Sequence, residues 1–319
     1  MGMRALLSRS DGSDEAVDLG AWRKRPLKQD ELLWIDAQAP SGAERDLVTG
    51  VLSLDAATLE ALDSDGNLPD ARVLGDGVLV TVQTIDRDID EDPGVLRVVV
   101  GPEWALTWHS EAIEFVDEHR ERIQDRREVG RLTPVLFLVA MLGWHLDTFF
   151  DAADQLEREV DDLDTAALRD DRRDLLEQLV TMRRRISRMR RLLSIHRDMY
   201  SEISGPDFFP EREPRETDAL EAMTHRLERA TEAVANAREM LIGTFEVHMT
   251  RTAQRTNDIM RLLTWVSVTL LPAGVLAGVM GMNFQLGFFD NASVFWIVVG
   301  AMVVVALTTL SIARWRHWL

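Results

Sequence analysis

The sequence predicts two unlike parts: an α+β cytoplasmic domain, and a long α-helical stalk that leads to two C-terminal transmembrane helices. Two apolar segments without a charged residue lie near its end, at residues 262–282 and 294–313. Each is about 20 residues long, the length that a helix needs to cross roughly 30 Å of hydrocarbon. Residues 1–261 are polar and acidic by contrast. These observations predict a soluble part followed by a membrane hairpin.

Charge and composition limit the function classes. The chain has 319 residues, with 54 acidic against 36 basic side chains and a formal charge of −18. Such a surface repels nucleic acid, so we expect no nucleic-acid partner. An acidic surface suits a protein that attracts cations. The alternative is that many soluble domains are acidic without such a role. The absence of cysteine excludes disulfides, thiolate metal sites and cysteine nucleophiles.

The first third of the chain reads as short strands with intervening helices. A Gly-Asp-Gly turn at residues 75–77 separates two apolar runs, and Pro102-Glu103 separates two more, so each pair predicts a hairpin. Helical patterns occur at residues 42–54 and 56–62. This mixture predicts a modest α+β domain.

Helical patterns take over after residue 112. Apolar residues recur at three- and four-residue spacing over residues 133–163 and 171–203. A segment with three prolines, residues 205–214, interrupts them. A helix over residues 215–280 would be about 100 Å long and would run from the cytoplasm into the membrane. Because one small domain cannot bury such a helix, we expect it to pack against copies of itself.

The predicted boundaries follow from these patterns. They are an N-terminal α+β domain (1–110), a helical region (111–213), the stalk (214–261), a pore-lining transmembrane helix (262–283), an outer loop (284–293), a second transmembrane helix (294–313) and a basic tail (314–319).

Basic residues predict the orientation in the membrane. Arg251, Arg255 and Arg261 precede the first span, Arg314 and Arg316 follow the second, and the loop between the spans has no Lys or Arg. Both termini are therefore expected in the cytoplasm of a multi-pass protein of the plasma or inner membrane. Arg314 and Arg316 would form a basic collar at the cytoplasmic mouth, with anchoring to lipid headgroups as the equal alternative.

One face of the first span predicts a pore. Its residues follow spacings of three and four, begin bulky and end in glycine. Facing a symmetry axis, the bulky members would form hydrophobic rings that close a pore by dewetting. Small-residue packing between helices is the alternative. The residues are Met260, Leu263, Ser267, Leu271, Gly274, Gly278 and Gly281.

The tripeptide Gly281-Met282-Asn283 ends this face. A ring of Asn283 amide carbonyls would accept hydrogen bonds from the water shell of Mg²⁺, an ion that gives up water reluctantly. Neutral carbonyls hold such an ion without trapping it. Asparagine is also a common residue at helix C-termini, which is the alternative for an isolated Gly-Met-Asn.

The segment NDIMRLLTWVSVTLLPAGVLAGVMGMNF, residues 257–284, resembles the pore helix of the CorA family of divalent-cation transporters. The basic, Trp-containing tail at residues 314–319 and the order of domains are also similar, so the resemblance covers essentially the whole chain. It implies a funnel-shaped homopentamer with a central ion path, a selectivity site made by Gly-Met-Asn, and gating by intracellular metal ions bound between protomers.

The outer loop departs from the family. Magnesium-transporting members follow Gly-Met-Asn with an acidic loop, whereas FQLGFFDNAS here has one acid, Asp290. A weaker negative rim concentrates cations less effectively. The loop resembles those of the zinc-transporting branch, so a Zn²⁺ transporter, proton-coupled or not, stays open beside Mg²⁺, Co²⁺ and Ni²⁺. No cofactor is expected beyond transported and regulatory cations.

Two sets of acids are candidates for the regulatory ions. Asp88 and Asp90 lie in an alternating acidic turn just after a strand. Glu232, Glu239 and Glu246 recur every seven residues and share one face of the stalk. A solvated turn and a solvated stalk face are the alternatives.

A basic run at residues 183–191 lies within a helix, and we expect pairing with acids such as Asp161, Asp162, Asp171 and Glu177. A membrane-anchored enzyme or sensor is a third class. No Walker A sequence, nucleophile elbow or HExxH motif supports it, so we classify the chain as a non-enzyme.

Overall fold

The fold is taken from a computed structural model of the chain. Its contacts divide into two units, Met1–Thr244 and Phe245–Leu319. The described residues are 2–11, 13–22, 26–28, 30–64, 66–75, 77–85, 92–125, 132–169, 174–282 and 292–315, with side chains omitted at a few helix ends.

The first unit contains a seven-stranded mixed sheet in the order β2-β1-β3-β7-β6-β5-β4. Only β3 and β7 run parallel; every other neighbouring pair is antiparallel. The strands are β1 (Gly2–Arg9), β2 (Asp14–Ala16), β3 (Glu31–Gln38), β4 (Asp70–Leu74), β5 (Gly77–Thr84), β6 (Gly94–Val100) and β7 (Trp104–His109).

Seven helices accompany the strands among the described residues. The first five lie between and after the strands, and the last two contain the apolar segments. They are α1 (Gly42–Leu52), α2 (Ala56–Leu62), α3 (Glu114–Asp125), α4 (Pro134–Arg169), α5 (Leu175–Ser204), α6 (Pro214–Met280) and α7 (Ala292–Trp315).

Strand β3 is buried on both faces of the sheet, and its side chains are mostly apolar. Leu32 and Trp34 pack into the core beneath α3 to α6, whereas Leu33 and Ile35 pack into the core beneath α1 and α2. Successive side chains of a strand point to opposite faces, so a strand covered on both sides reads as a continuous apolar run. The first unit is therefore a sheet with helices on both faces.

Local signals fix the helix starts. Ser41 and Glu44 form a capping box at α1. Thr133 caps α4 by accepting from the Leu136 N–H at 3.2 Å, and its hydroxyl donates to Glu216 near the start of α6. Glu216 in turn accepts from the Glu213 N–H at 2.8 Å. The starts of α4 and α6 are thus held together by one buried carboxylate.

The predicted helices agree with these bounds to within two residues apart from two ends, whereas β1, β2 and α3 were not predicted. Both predicted hairpins are present, as β4–β5 and β6–β7. Helix α4 continues to Arg169 instead of ending at residue 163, since the intervening segment contains good helix formers. Helix α5 begins at Leu175, later than the predicted residue 171, and residues 170–173 lie outside the described part.

Helix α6 packs along one stripe of its first half. The buried residues recur at spacings of three and four, ending at the boundary between the two units. This pattern is the seam that buries one helix face against α4 and α5. The stripe comprises Leu220, Met223, Leu227, Ala230, Val234, Ala237, Leu241 and Thr244.

Two described helices, α4 and α6, are long and apolar enough to cross a bilayer. Half of the apolar window of α4 is buried, so it is the core helix of the first unit. None of the apolar window of α6 is buried. Helix α7 has a shorter apolar stretch, Ser293–Thr309, and also carries exposed large side chains such as Phe295 and Trp296.

Two buried histidines connect β5 to the helices. His145 Nε2 bonds the Gln83 carbonyl at 2.9 Å, and His196 Nε2 accepts from the Gln83 N–H at 3.0 Å. Tyr200 Oη lies 2.8 Å from His145 Nδ1 and 3.1 Å from the Leu142 carbonyl oxygen. Because neutral His145 donates from Nε2 to Gln83, its Nδ1 accepts from the Tyr200 hydroxyl. Burial lowers the pKa of His145 from 6.5 to about 3, and the pKa of His196 to about 4.

We predict that the free energy of unfolding falls as the pH drops below the ordinary histidine pKa of 6.5. In that window the unfolded chain binds protons that folded His145 and His196 reject, until the pH reaches their lowered values. Urea unfolding of the full chain, followed by tryptophan fluorescence between pH 7.5 and 5, measures this slope. His145→Gln should reduce the slope by about one proton.

His225→Gln is the matched control, because His225 is exposed on α6. Its slope should equal that of the wild type. An unchanged slope in His145→Gln would mean that His145 does not remain neutral in the folded protein.

Candidate functional site

The predicted pore face lies on the apolar half of α6. Met260, Leu263 and Leu271 are 57, 60 and 71% exposed. Side chains of this size are rarely left so open unless lipid or another chain covers them. The remaining members, Ser267 and the three glycines, are also exposed. The structure thus presents all seven residues on one uncovered face.

The glycines of this face are not required for packing within the chain. A Cβ atom added at Gly274 or Gly278 would meet no other atom within 4 Å. At Gly281 it would approach the Ala277 carbonyl at 3.3 Å. The small residues therefore leave space along the helix that a second chain or an aqueous path can use.

Polar groups on this segment are bonded to the helix itself. Ser267 donates to the Leu263 carbonyl at 2.9 Å, and Thr264 donates to the Met260 carbonyl at 2.8 Å. Such bonds leave the hydroxyl lone pairs available as acceptors. Pro272 is accommodated inside the helix, although it has no N–H to bond the preceding turn.

The helix ends at the Gly-Met-Asn motif. The Gly281 N–H donates to the Ala277 carbonyl at 2.9 Å, and the Met282 N–H donates to the Val279 carbonyl at 3.3 Å. Asn283 and the outer loop lie outside the described residues, as do Asp88, Asp90 and Arg316. The backbone of Arg314, near the end of α7, is described, but its side chain is not.

The stalk acids share an exposed face. Glu232, Glu239 and Glu246 are exposed and make no ion pair within the described residues. They lie off the buried stripe of α6, so their charges are not needed to hold the first unit together. Seven-residue spacing places them about 10.5 Å apart along the helix.

An acidic cleft of about 380 Å³ is lined by Ile85 and Asp92, the described residues on either side of the predicted regulatory turn in the sequence. Asp92 lies 3.4 Å from Arg188 on α5. The other carboxylates of the cleft were not predicted from the sequence, because they come from the β7–α3 connection, α3 and α4. These are Glu111, Glu114, Glu118 and Asp151.

The structure does not assemble these acids into a metal centre. Over the described ranges, no group of three or more His, Asp or Glu side chains is close enough to hold a metal ion. A cation in the cleft would therefore need ligands from the turn at residues 86–91 or from another chain. Glu232, Glu239 and Glu246 are likewise too far apart to share an ion, because about two helical turns separate each from the next.

The basic run on α5 is paired differently from the expectation. Arg185 bonds Glu159 on α4, and Arg188 bonds Asp92. Asp161 and Asp162 are exposed and, like Glu177, form no ion pair with a described residue. Asp171, the fourth expected partner, lies outside the described residues. Arg183, Arg184, Arg190 and Arg191 have no ion pair with any described residue.

A buried histidine–aspartate pair elsewhere has a structural role. His109 Nε2 lies 3.0 Å from Asp36 Oδ1, and Thr107 donates to the same oxygen at 2.7 Å. Burial alone would raise the pKa of Asp36, but these hydrogen bonds hold it below its ordinary value. The pair fastens the parallel strands β3 and β7.

Comparison with known proteins covers nearly the whole chain. The sequence profile of the family described as "CorA-like Mg2+ transporter protein" matches residues 29–314. The cobalt/magnesium transport protein CorA of Methanocaldococcus jannaschii is 21% identical over 90% of this chain and 92% of its own length. The zinc transport protein ZntB of Pectobacterium carotovorum is 25% identical over 76% of each chain.

The fold agrees with a solved full-length structure. The complete CorA magnesium transporter from M. jannaschii superposes with a TM-score of 0.80 at 21% identity, covering 98% of both chains. The predicted fold is thereby confirmed: a soluble α/β part, a long helix, and apolar helices long enough to span a membrane.

Proposed function

This chain belongs to the CorA-like Mg²⁺ transporter family, and we propose that it conducts Mg²⁺, with Co²⁺ and Ni²⁺, across the plasma or inner membrane. Family membership confirms its classification as a transporter of divalent cations and not an enzyme. The observation that carries the ion path is the uncovered face of α6, which runs from Met260 to Gly281 and ends at Gly-Met-Asn.

The proposed transporter is a homo-oligomer, a pentamer by family resemblance. One chain supplies α6 and α7, and two helices cannot enclose a path for ions. The apolar half of α6 leaves every residue of its window unburied, which is costly in water and consistent with lipid and neighbouring copies as its surroundings. Both termini are placed in the cytoplasm by the positive-inside rule.

Selectivity is assigned to the Gly-Met-Asn end of α6. The backbone of Gly281 and Met282 still bonds the last helical turn, so the chain enters the motif with a fixed direction. A ring of Asn283 carbonyls from several copies would accept hydrogen bonds from the waters around Mg²⁺. This arrangement needs no carboxylate and therefore does not trap the ion.

The gate is assigned to the bulky part of the same face. Met260, Leu263 and Leu271 would form apolar rings, which exclude water from a narrow passage without any charged group. The glycines beyond them leave a wider path. Arg314 and Arg316 would form the basic collar of the cytoplasmic mouth.

Regulation is assigned to cations between cytoplasmic domains. The acidic cleft carries five described carboxylates, and one of them, Asp92, follows Asp88 and Asp90 closely in the sequence. Because its own residues do not complete a metal centre, a neighbouring copy would have to contribute ligands, for which Glu232, Glu239 and Glu246 are the candidates. Binding in one state shifts the equilibrium toward that state.

A Zn²⁺ transporter is the second candidate. The similarity to ZntB and the weakly acidic outer loop favour it. Flux into proteoliposomes, measured separately for Mg²⁺, Co²⁺, Ni²⁺ and Zn²⁺ with and without a proton gradient, distinguishes the two. Flux of Zn²⁺ alone would replace the magnesium proposal.

We predict that Asn283→Ala abolishes divalent flux while the oligomer still assembles. The substitution removes the carbonyl ring but leaves the apolar helices intact. Mg²⁺ flux in proteoliposomes and the mass of the detergent-solubilised oligomer are the measurements. Asn291→Ala, a second asparagine in the outer loop, is the control and should transport normally. Wild-type flux in Asn283→Ala would remove Asn283 from the mechanism.

We predict that Leu263→Asn and Met260→Ser leak when cytoplasmic Mg²⁺ is high. A polar ring hydrates a constriction that apolar side chains keep dry. The matched control is Leu262→Asn, because Leu262 is equally exposed but lies off the pore face. Closure that is unchanged in both gate variants would place the gate elsewhere.

We predict that Mg²⁺ protects the cytoplasmic part against limited trypsin digestion, and that Asp88→Lys and Asp90→Lys reduce this dependence. A fixed positive charge replaces the ion in offsetting repulsion between acidic protomers. Glu60→Lys, an exposed acid on α2, is the control. If both variants keep full protection, or the wild type shows none, the turn has no regulatory role.

A further inference from the structure

Helix α5 carries a basic face that forms no ion pair with any described residue of the first unit. Arg183, Arg190 and Arg197 recur every seven residues, so they form a row about 21 Å long. Arg184 and Arg191 flank this row. All five are exposed, and none has an ion pair within the part of the chain that the structure describes. Unpaired arginines in such a number are unusual on a chain of charge −18.

Helix α4 carries a matching acidic face. Asp151, Asp154, Asp161 and Asp162 fall within about 100° of helix circumference, over a length of about 17 Å. All four are exposed and lack an ion pair among the described residues. Arg158 lies between them, so the face keeps a net charge of about −3.

These two faces do not meet within one chain. The contact between α4 and α5 is made by their buried residues and by the ion pair of Arg185 with Glu159. Arg183 lies on the other side of α5 from Arg185, since two residues turn a helix by about 200°. Asp162 lines a cleft between the two helices, whereas Asp154 and Asp161 of α4 and the arginine row of α5 lie on exposed faces away from the shared seam.

We propose that the basic face of α5 binds the acidic face of α4 on a second copy of this chain. The rows have similar lengths, and Asp154 and Asp161 have the same seven-residue spacing as Arg183 and Arg190. Two ion pairs can therefore form in register. This contact goes beyond the proposed function, but it rests on the oligomer that the proposed function requires.

The arrangement also has the symmetry that a pore needs. Each copy would use two different faces, one for each neighbour, and such heterologous contacts close into a ring when the rotation allows. A contact between identical faces would stop at a dimer. Alternating the two faces also reduces the repulsion between chains that are acidic overall.

Cross-linking in the full-length protein tests the proposal, and the absence of native cysteine removes any background. Asp154→Cys is combined with Arg190→Cys for an antiparallel contact, or with Arg183→Cys for a parallel one. A bismaleimide reagent with a spacer of about 10 Å spans neighbouring helices. We expect a ladder of bands up to the full oligomer in one of the two double variants. Asp154→Cys with Arg72→Cys, an exposed arginine on β4, should give no ladder.

Charge reversal supplies the second measurement. Arg183→Glu and Arg190→Glu together should lower oligomer stability about fourfold at low salt, since each of the two exposed pairs contributes roughly a factor of two. The corresponding lysine variant should behave like the wild type. Reversing Asp154 and Asp161 to arginine in the glutamate variant should restore the oligomer, because the pairs are re-formed with opposite signs.

The outcomes separate the possible partners. An oligomer of unchanged mass that gives no ladder in either double variant overturns this contact and leaves the proposed function standing. A monomeric wild type overturns the assembly itself. Binding to vesicles of anionic phospholipid that is lost in the glutamate variant, without any ladder, would instead assign the basic face to a lipid surface.

Discussion

Helix α6 must be stable both in water and in hydrocarbon along one continuous backbone. The rest of the structure depends on this constraint. Its first half buries one narrow seam against α4 and α5. Its C-terminal segment, residues 262–280, carries no charged side chain, and none of its apolar window is buried. Because hydrogen bonds within a helix satisfy nearly all backbone groups, the chain can pass from water to hydrocarbon without a break. An interruption at the boundary would expose unpaired polar groups where they cost most.

The division into two units falls inside that helix, between Thr244 and Phe245. The buried seam ends there, and exposed large side chains such as Phe245 and Met249 begin. Beyond this point no described residue covers the pore face of the helix, and the open space beside Gly274 and Gly278 shows the same property. In the proposed transporter, lipid and other copies of the chain would cover this surface.

Sequence periodicity predicted the long helices and which residues of α6 share one face, because both follow from spacing along one helix. That this face lines a pore stays a prediction. Periodicity did not predict contacts between elements. The carboxylates of the acidic cleft come from segments that are far apart in sequence, and Arg185 pairs with Glu159 instead of Asp161 because the phase between two packed helices is set by their core. Only Gly281 and Met282 of the selectivity motif fall among the described residues, so the role of Asn283 rests on sequence and family.

The histidine pair has a consequence for self-association of the sheet. Strand β4 pairs with β5 only as far as Thr81, so the backbone of Gln83 would otherwise be an open edge for a strand from another molecule. His145 and His196 occupy its carbonyl and its N–H. Two side chains thus take the place of the missing end of β4. The edge is closed only once α4 and α5 have docked, which leaves the nascent sheet exposed to aggregation until the helices following it in the chain are made.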